Sequence, residues 1–465
     1  MSKKKNGQLT GDIVPPNDDL ARDKSVKLKE VWSKGDLTTK LTFFIMGLNQ
    51  IRNKQWVKGF TFLILEVGFI VWLLFSGISA FSLLSSLGPD KTIRHGLDSQ
   101  GMPITIAPSN SVVILLWGVL AIIVVLLFIL LYWTNYRSNK HLYYLTREEK
   151  DIPTNREELA SLLDSRLHAT LMAIPLLGIL AFTVLPTLYM ITMAFTNYDQ
   201  QHATAFSWTG FQAFGNVLTG NLAGTFFPVL GWTLLWAVLA TVTTFLGGVL
   251  LAMLIESKGI KGKGFWRTIF VIVFAVPQFV TLLMMAQFLD QQGAFNNLLL
   301  NLHIISHSIN FIGASSNAWV ARITVIFVNM WIGIPVSMLV STAIIQNLPQ
   351  DQIEAARIDG ANSFNIFRSI TFPQILFVMT PALIQQFIGN INNFNVIYLL
   401  TQGYPMNANY QSAGSTDLLV TWLYNLVFGQ TQKYNAAAVL GILIFIVNAS
   451  ISLVAYRRTN AFKEG

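Results

Sequence analysis

Three amide side chains lie at helical spacing in an apolar stretch near the C-terminal end of the chain: Gln386, Asn390 and Asn393. Residues three and four apart share one face of a helix, and Gly389 beside them would leave room on that side. Polar side chains inside a membrane face a protein interior or a wet cavity. Because amides donate and accept hydrogen bonds at once, the stripe suits a neutral polyol better than an ion. Bonding between neighbouring helices explains it equally well, so both interpretations stay open.

A second feature is the polar segment 347–373. Pro349 favours a helix start, and Gly360 can end that helix by adopting a positive φ. A second short helix then begins at Asn362 or Ser363, both of which are good capping residues. The first helix carries two adjacent alanines, which let another protein approach closely. The segment is therefore interpreted as a docking helix, although a re-entry turn between two spans is the simpler alternative.

The elements that position these residues follow from the composition. Of 465 residues, 53% are hydrophobic and only 12% are charged, whereas a soluble domain has about 25% charged residues. Since a spanning helix needs about 20 apolar residues, the sequence predicts an all-α polytopic membrane protein. Its eight transmembrane helices are expected at 59–84, 111–133, 170–195, 227–255, 268–289, 320–345, 372–400 and 436–456.

The basic residues indicate the orientation of these spans. Of the 31 Lys and Arg residues, 27 fall in the two termini and in the loops after spans two, four and six, and three fall in the other loops. By the positive-inside rule, both termini and segment 347–373 are cytoplasmic. This spread also argues against a nucleic-acid interface, which needs one basic patch. The chain has no Cys and no phosphate-binding G-x-x-x-x-G-K-[ST] motif, which excludes thiolate metal sites and an ATP site of that kind.

Segment 347–373 resembles the E-A-A-x3-G-x9-I-x-L-P loop of permease subunits of bacterial ABC importers. The motif also places that loop before the penultimate span. One position departs from it, since Phe372 stands where Leu is usual. The matching residues are Glu354, Ala355, Ala356, Gly360, Ile370 and Pro373.

The resemblance implies an ABC importer type I permease fold and a role for the loop in coupling to an ATPase. Glu354 would contact the ATPase subunit, and Gly360 would be the bend. ATP and Mg²⁺ would be bound by the partner, with no cofactor and no enzyme activity in this chain. The ATPase-coupling residues are then Glu354, Ala355, Ala356, Asp359 and Gly360.

From about Gly264 to Tyr456 the chain is similar to maltose/maltodextrin permease subunits of the MalF type, in segments 274–279, 329–335, 390–394, 399–403 and 415–420. The resemblance implies a maltose or maltodextrin pathway. Several residue types differ from the enterobacterial subunit, which leaves the sugar preference open. The implied sugar contacts are Gln386, Gly389, Asn390 and Asn393 on span seven, Phe274 and Gln278 on span five, and Ile332, Gly333 and Val336 on span six.

The implied partners are a second, MalG-like permease, a dimer of ATP-binding subunits and an extracellular sugar-binding lipoprotein. The enterobacterial subunit carries a large folded domain between spans three and four, whereas this chain has only a short loop there, so its receptor contact must be smaller. The expected organisation is a tail with a possible interfacial segment (1–56), two helices with a cytoplasmic loop (57–169) and a six-helix core (170–465).

The rival class is an ion-coupled secondary sugar transporter. That class predicts carboxylates within the membrane and inverted repeats. Only Glu66 stands alone within a span, and we expect it to bond a partner helix. Arg322, near the end of span six, is expected to reach the lipid headgroups.

Overall fold

The computed structural model describes residues 28–97, 102–257 and 259–458. The chain divides into two compact units, one of residues 1–190 and 204–207, the other of residues 191–203 and 208–465. The predicted divisions after residues 56 and 169 both lie within the first unit.

The first unit is built from helices and one small hairpin. Asn110 caps the longest helix by accepting from the Val113 N–H at 3.2 Å, and Thr154 caps the following short helix through a reciprocal bond with Glu157. The elements are α1 (Leu28–Lys34), α2 (Leu37–Leu41), α3 (Leu48–Arg52), α4 (Trp56–Ser86), the antiparallel strands β1 (Arg94–Leu97) and β2 (Pro103–Ile106), α5 (Ser111–Arg147), α6 (Asn155–Leu163) and α7 (Leu167–Met193).

Residues from Leu28 onward, which the sequence assigns to a polar tail and a possible interfacial segment, fold into three short helices held by buried amides. The Asn135 side chain accepts from the Gly47 N–H at 3.2 Å, and that of Asn139 accepts from the Asn49 amide at 2.8 Å. Glu66 accepts from the Met46 N–H at 2.7 Å. The isolated carboxylate of the first span is therefore hydrogen-bonded within the unit, but to the backbone of the turn before α3 and not to a partner helix.

The second unit contains the remaining helices. The long helices that contain Gly248 and Ser337 cross closely. A Cβ added at Gly248 would lie only 2.3 Å from the Ser337 Cβ. Small residues at such a crossing allow the backbones to approach. The elements are α8 (Gln212–Leu218), α9 (Ala223–Glu256), α10 (Lys263–Val271), α11 (Gln278–Phe288), α12 (Ala294–Asn301), α13 (Ala318–Gln346), α14 (Gln350–Ile358), α15 (Ser363–Ile391), α16 (Phe394–Leu400), α17 (Leu419–Phe428) and α18 (Tyr434–Arg458).

The core of this unit lies between α9, α11, α13 and α16. Trp236 is fully buried there and Trp232 almost so, and both belong to one hydrophobic cluster with Val325 and Val396. Large aromatic side chains contribute much of the buried apolar area in such cores. The same two tryptophans also bond the backbone of other segments, as described below.

Seven of the eight predicted spans correspond to helices that are long and apolar enough to cross a membrane, counted over the described residues. The fifth does not. It divides into α10, a 3-10 turn (Ile272–Ala275) and α11. The cause is Pro277, which lacks a backbone donor and forces Val276 out of the helical region to φ −97° and ψ 128°.

The seventh predicted span is also interrupted. Helix α15 ends at Ile391, and Asn393 caps α16 by accepting from the Val396 N–H at 3.3 Å. An asparagine side chain that bonds nearby backbone competes with the helical ladder. The polar run that marks this span in the sequence thus also divides it.

Candidate functional site

A cavity of about 350 Å³ lies within the second unit, between α9, the broken α10–α11 segment, α13 and α15. Seven of the nine residues that the resemblance assigns to sugar contact line it. Their role in sugar binding stays a prediction, but the structure brings them together. They are Gln278, Ile332, Gly333, Val336, Gln386, Asn390 and Asn393.

The other two predicted contacts are placed differently. Gly389 does not line the cavity; it is exposed, and a Cβ added there would meet no atom within 4 Å. The residue therefore leaves space on a neighbouring side of α15. The side chain of Phe274 lies outside the described part of the chain.

The amide stripe is bonded to helix α9. Gln386 donates to the Thr244 hydroxyl at 2.8 Å, and Asn390 donates to the Thr241 hydroxyl at 3.0 Å. Trp236 donates from its indole nitrogen to the Asn390 carbonyl at 3.1 Å. Of the two interpretations that the sequence leaves open, bonding between helices is observed. The Gln386 side-chain oxygen remains without a hydrogen bond to a described residue.

Asn393 is joined to this network across the helix break. Its amide donates to the Asn390 Oδ1 at 3.4 Å while its own Oδ1 caps α16. The expectation that Gln386, Asn390 and Asn393 share one continuous helix is wrong, since α15 ends before Asn393. The three side chains nevertheless reach the same cavity, because the break redirects the chain without removing Asn393 from the wall.

Two amides in the wall are without such partners. No hydrogen bond joins the side chains of Gln278 or Asn329 to any other described residue, although Asn329 is only 8% exposed. The buried Asn329 amide gains free energy when a ligand supplies the missing bonds, whereas the Gln278 amide is exposed. These two side chains are therefore the most available groups for a hydroxylated ligand.

Sequence reasoning missed three polar residues of the wall: Thr244, Thr281 and Asn329. Asn329 was detectable, because it precedes Gly333 by four residues and so shares its helix face. Thr244 carries no local signal, since its partner Gln386 is 142 residues away in the sequence. It also lies against Gly333, where an added Cβ would come within 2.6 Å of the Thr244 Cγ2.

The second candidate site is the loop between α13 and α15. Helix α14 ends where Gly360 takes φ +83°, and Asn362 caps the next helix by accepting from the Asn365 N–H at 2.8 Å. Both features agree with the sequence prediction. Among the predicted coupling residues, Glu354, Ala355, Asp359 and Gly360 are exposed and Ala356 is half-buried.

Apolar side chains on this loop also face outward. Ile358 is 85% exposed and Phe364 is 64% exposed. Exposed apolar residues on a structured helix pair are typical of a protein interaction surface. The loop thus carries an exposed apolar surface, and its role in docking a partner stays a prediction.

Side-chain contacts connect the loop to the membrane-spanning helices. Gln374, at the start of the long part of α15, donates to Gln352 of α14 at 2.9 Å. Phe372 packs between Phe367 and Phe245 of α9, with ring centroids 5.6 and 6.0 Å apart. A displacement of α14 would therefore move α15, whose other end carries the amides of the cavity.

A compact loop, residues 401–418, follows α16, and Arg322 holds it. The Arg322 Nε donates to the Ser415 carbonyl at 2.8 Å, and its guanidinium lies 4.5 Å from the Trp232 ring centroid and 5.2 Å from that of Trp319. Trp232 donates to the Thr416 carbonyl at 3.2 Å. The expectation that Arg322 reaches lipid headgroups is wrong, because the guanidinium serves this loop instead.

The same loop contains a buried carboxyl group. Asp417 is 1% exposed, and its Oδ2 accepts from the Gly414 N–H at 2.7 Å and from the Asn425 amide at 3.1 Å. Its Oδ1 has no partner among the described residues. Burial raises the pKa of Asp417 to about 6, although the Gly414 N–H and the side chains of Thr421 and Asn425 act in the opposite direction.

Apolar helices around an amide-lined cavity, with a docking loop joined to one of them, define the class of membrane transport subunits. Residues 245–460 match the family described as binding-protein-dependent transport system inner membrane component. The chain is 36% identical over 435 residues to the galactooligosaccharides transport system permease protein GanP of Bacillus subtilis (strain 168), covering 91% of this chain and 98% of that protein. It is 32% identical over 430 residues to the maltodextrin transport system permease protein MdxF of the same strain, covering 91% and 95%.

A solved structure supports the fold. The crystal structure of a bacterial alginate ABC transporter in complex with an alginate pentasaccharide-bound periplasmic protein is similar with a TM-score of 0.51 and 23% identity, over 65% of this chain and 96% of that chain. The chain belongs to the family of binding-protein-dependent inner membrane permeases, among the sugar permeases of ABC importers. It is a multi-pass membrane transport subunit and not an enzyme; the ATPase activity lies in a partner subunit.

Proposed function

We propose that this permease carries a neutral oligosaccharide and that its cavity is the sugar site. The observation that carries the proposal is the chemistry of the wall: five amide side chains and two threonines line it, and the described residues there include no charged side chain. Neutral amides can both donate hydrogen bonds to sugar hydroxyls and accept hydrogen bonds from them. An acidic saccharide would require cationic partners for its carboxylates, since an unpaired buried charge is costly.

Maltodextrin is the proposed substrate, as the resemblance to the MalF type implies. A galactooligosaccharide is the second candidate, and the likeness to GanP favours it. Both are uncharged and rich in hydroxyls, so the lining chemistry fits each. The choice between them depends on how the amides of Gln278 and Asn329 meet the differently oriented hydroxyls of the two sugars.

The proposed assembly pairs this chain with a second, MalG-like permease, a dimer of ATP-binding subunits and an extracellular sugar-binding lipoprotein. Both termini and the loop with Gly360 lie on the cytoplasmic side. This chain needs no cofactor of its own, since ATP and Mg²⁺ are bound by the partner. The exposed face of α14, with Glu354, Ala355 and Ile358, is the docking surface for the ATPase.

Transport then proceeds by alternating access between two populated states. Closure of the ATPases displaces α14, and the contact between Gln352 and Gln374 passes this displacement to α15. The amides of Gln386 and Asn390 move with α15 relative to α9. The cavity wall is thereby opened and closed by the same helix that the ATPase moves.

The test is sugar uptake into proteoliposomes that contain the complete importer, with maltotetraose and a galactotetraose as competing substrates. We expect accumulation that requires internal ATP and that Asn390→Ala abolishes. Asn392→Ala is the matched control, because Asn392 is exposed and does not line the cavity. Uptake driven by an ion gradient without ATP would overturn the proposal and favour a secondary transporter.

A further inference from the structure

A groove of about 240 Å³ lies in the first unit between the start of α4 and helix α6. Lys58 and Arg166 both contact the Glu158 carboxylate, at 3.0 and 3.2 Å. Two cations therefore share one anion, and the lining of the groove carries a net charge of +1. Its residues are Val57, Lys58, Thr61, Phe62, Asn155, Glu158, Leu159, Leu162 and Arg166.

The cations retain donors for a further anion. Each uses one donor on Glu158, and no other hydrogen bond joins either side chain to a described residue. The Arg166 side chain is 50% exposed and that of Lys58 is 24% exposed. A guanidinium has five donors and an ammonium has three, so both can reach a phosphate without leaving Glu158.

The neighbouring carboxylate does not oppose such an anion. Glu157 is held at the N-terminus of α6, where its Oε2 accepts from the Thr154 N–H at 2.8 Å. It does not line the groove. Glu158 is thus the one carboxylate in the lining, and it is already shared by two cations.

The other wall of the groove is apolar and open. Leu159 and Leu162 of α6 are 47% and 39% exposed, and Val57 of α4 is 50% exposed. Leu163, beside them, is 73% exposed. A short helix with a charged face and exposed leucines is typical of a helix that lies in the membrane interface.

The position along α4 also indicates the interface. Trp56 and Phe60, at the start of this membrane-spanning helix, are about half exposed and stack with ring centroids 6.1 Å apart. Aromatic side chains gather at the level of lipid headgroups. The groove begins one residue later, at Val57, so its cations lie at the end of the span where such aromatic side chains gather.

We propose that this groove binds one anionic phospholipid. Its phosphate contacts Lys58 and Arg166, and an acyl chain covers Phe62, Leu159 and Leu162. A soluble phosphate compound would leave the apolar wall in water, which costs roughly 25 cal/mol for each Å² that a chain could cover. A zwitterionic lipid would not neutralise the remaining positive charge.

The experiment is native mass spectrometry of the complete importer with added phosphatidylglycerol or phosphatidylethanolamine. We expect the wild type to retain phosphatidylglycerol preferentially. Arg166→Gln should weaken that retention roughly tenfold, the loss of one charge-assisted contact. Arg156→Gln is the matched control, because Arg156 is exposed on α6 and does not line the groove, and the substitution removes the same charge.

Two further arms decide the outcome. Leu159→Asn should weaken the retention of phosphatidylglycerol. It should not change the binding of glycerol 3-phosphate, which carries the phosphate but no acyl chains. An equal loss of phosphatidylglycerol retention in Arg166→Gln and Arg156→Gln would overturn the proposal in favour of a general electrostatic attraction to the surface. Displacement of the lipid by an equal concentration of glycerol 3-phosphate would assign the groove to a soluble anion. Equal retention of phosphatidylglycerol and phosphatidylethanolamine by the wild type would also contradict the proposal.

Discussion

Gln386 of α15 donates a hydrogen bond to the Thr244 hydroxyl of α9 over 2.8 Å, and both side chains line the cavity. The wall of the proposed sugar site is therefore also a contact between two spans. Because α15 begins at the coupling loop, a change at the loop and a change in the wall act on the same pair of helices.

The first prediction concerns the pair itself. Thr244→Val and Gln386→Leu should each lower the unfolding free energy of the purified importer by about 0.6 kcal/mol, the average for polar contacts within membranes. The double variant should lose no more than either single variant, since both remove the same bond. Thermal unfolding of the four proteins measures this cycle, and additive losses would show that the bond contributes nothing.

The second prediction concerns Asn329, which lines the cavity without a bonded partner among the described residues. Asn329→Val should leave the thermal stability nearly unchanged, because no internal hydrogen bond is lost. Sugar affinity should fall about tenfold, since one or more ligand hydroxyls lose a partner worth about 1.5 kcal/mol. Competition transport assays measure the affinity; a large fall in stability with unchanged affinity would assign Asn329 to the fold.

The third prediction concerns Gly360, whose φ of +83° ends α14 in open space. Gly360→Val should abolish uptake, because a β-branched residue is strained by about 1–3 kcal/mol in this conformation and would redirect the loop. Gly360→Asn should retain most activity, since Asn tolerates positive φ.

Uptake and ATPase rates of the assembled importer measure both Gly360 variants. The geometric explanation requires that the Asn variant stays coupled. Equal loss in the two variants would instead mean that the site excludes any side chain, which its open surroundings do not predict.

Much of this arrangement follows from local sequence signals. Apolar runs of sufficient length predict the long helices, and Gly360 and Asn362 predict the two-helix loop, because a cap or a positive φ is a property of a few adjacent residues. A proline such as Pro277 can kink a span, but its presence in an apolar run does not tell whether the helix bends or ends there. Length and hydropathy alone therefore predict a continuous fifth span that does not exist.

The pairing of the amides could not be predicted. Thr241 and Thr244 lie more than 140 residues from Asn390 and Gln386, and no local pattern connects them. Arg322 illustrates the same limit, since its partner Ser415 is 93 residues away. A charge near the end of a span suggests a headgroup contact until the tertiary fold supplies another acceptor.

The last prediction concerns pH. Burial raises the pKa of Asp417 to about 6, above its ordinary value of 3.8. The folded state therefore binds the proton more tightly than the unfolded state, so this contribution to stability is present below about pH 4 and is lost as the pH rises through about 6. The full change between these two pH values is on the order of 3 kcal/mol.

D417N should remove this dependence, because an amide stays neutral at all these pH values and can accept from the Gly414 N–H as the carboxyl does. The variant should be more stable than the wild type at pH 7 and by a smaller margin at pH 5, measured by thermal unfolding of the importer at both values. Asp290→Asn, at an exposed position, makes the same charge change and should leave the pH profile as it is. A wild-type stability that rises from pH 5 to pH 7, with the rise absent in D417N, would contradict the prediction. It would mean that folding favours the ionised carboxylate, and the Oδ1 without a partner among the described residues argues against that.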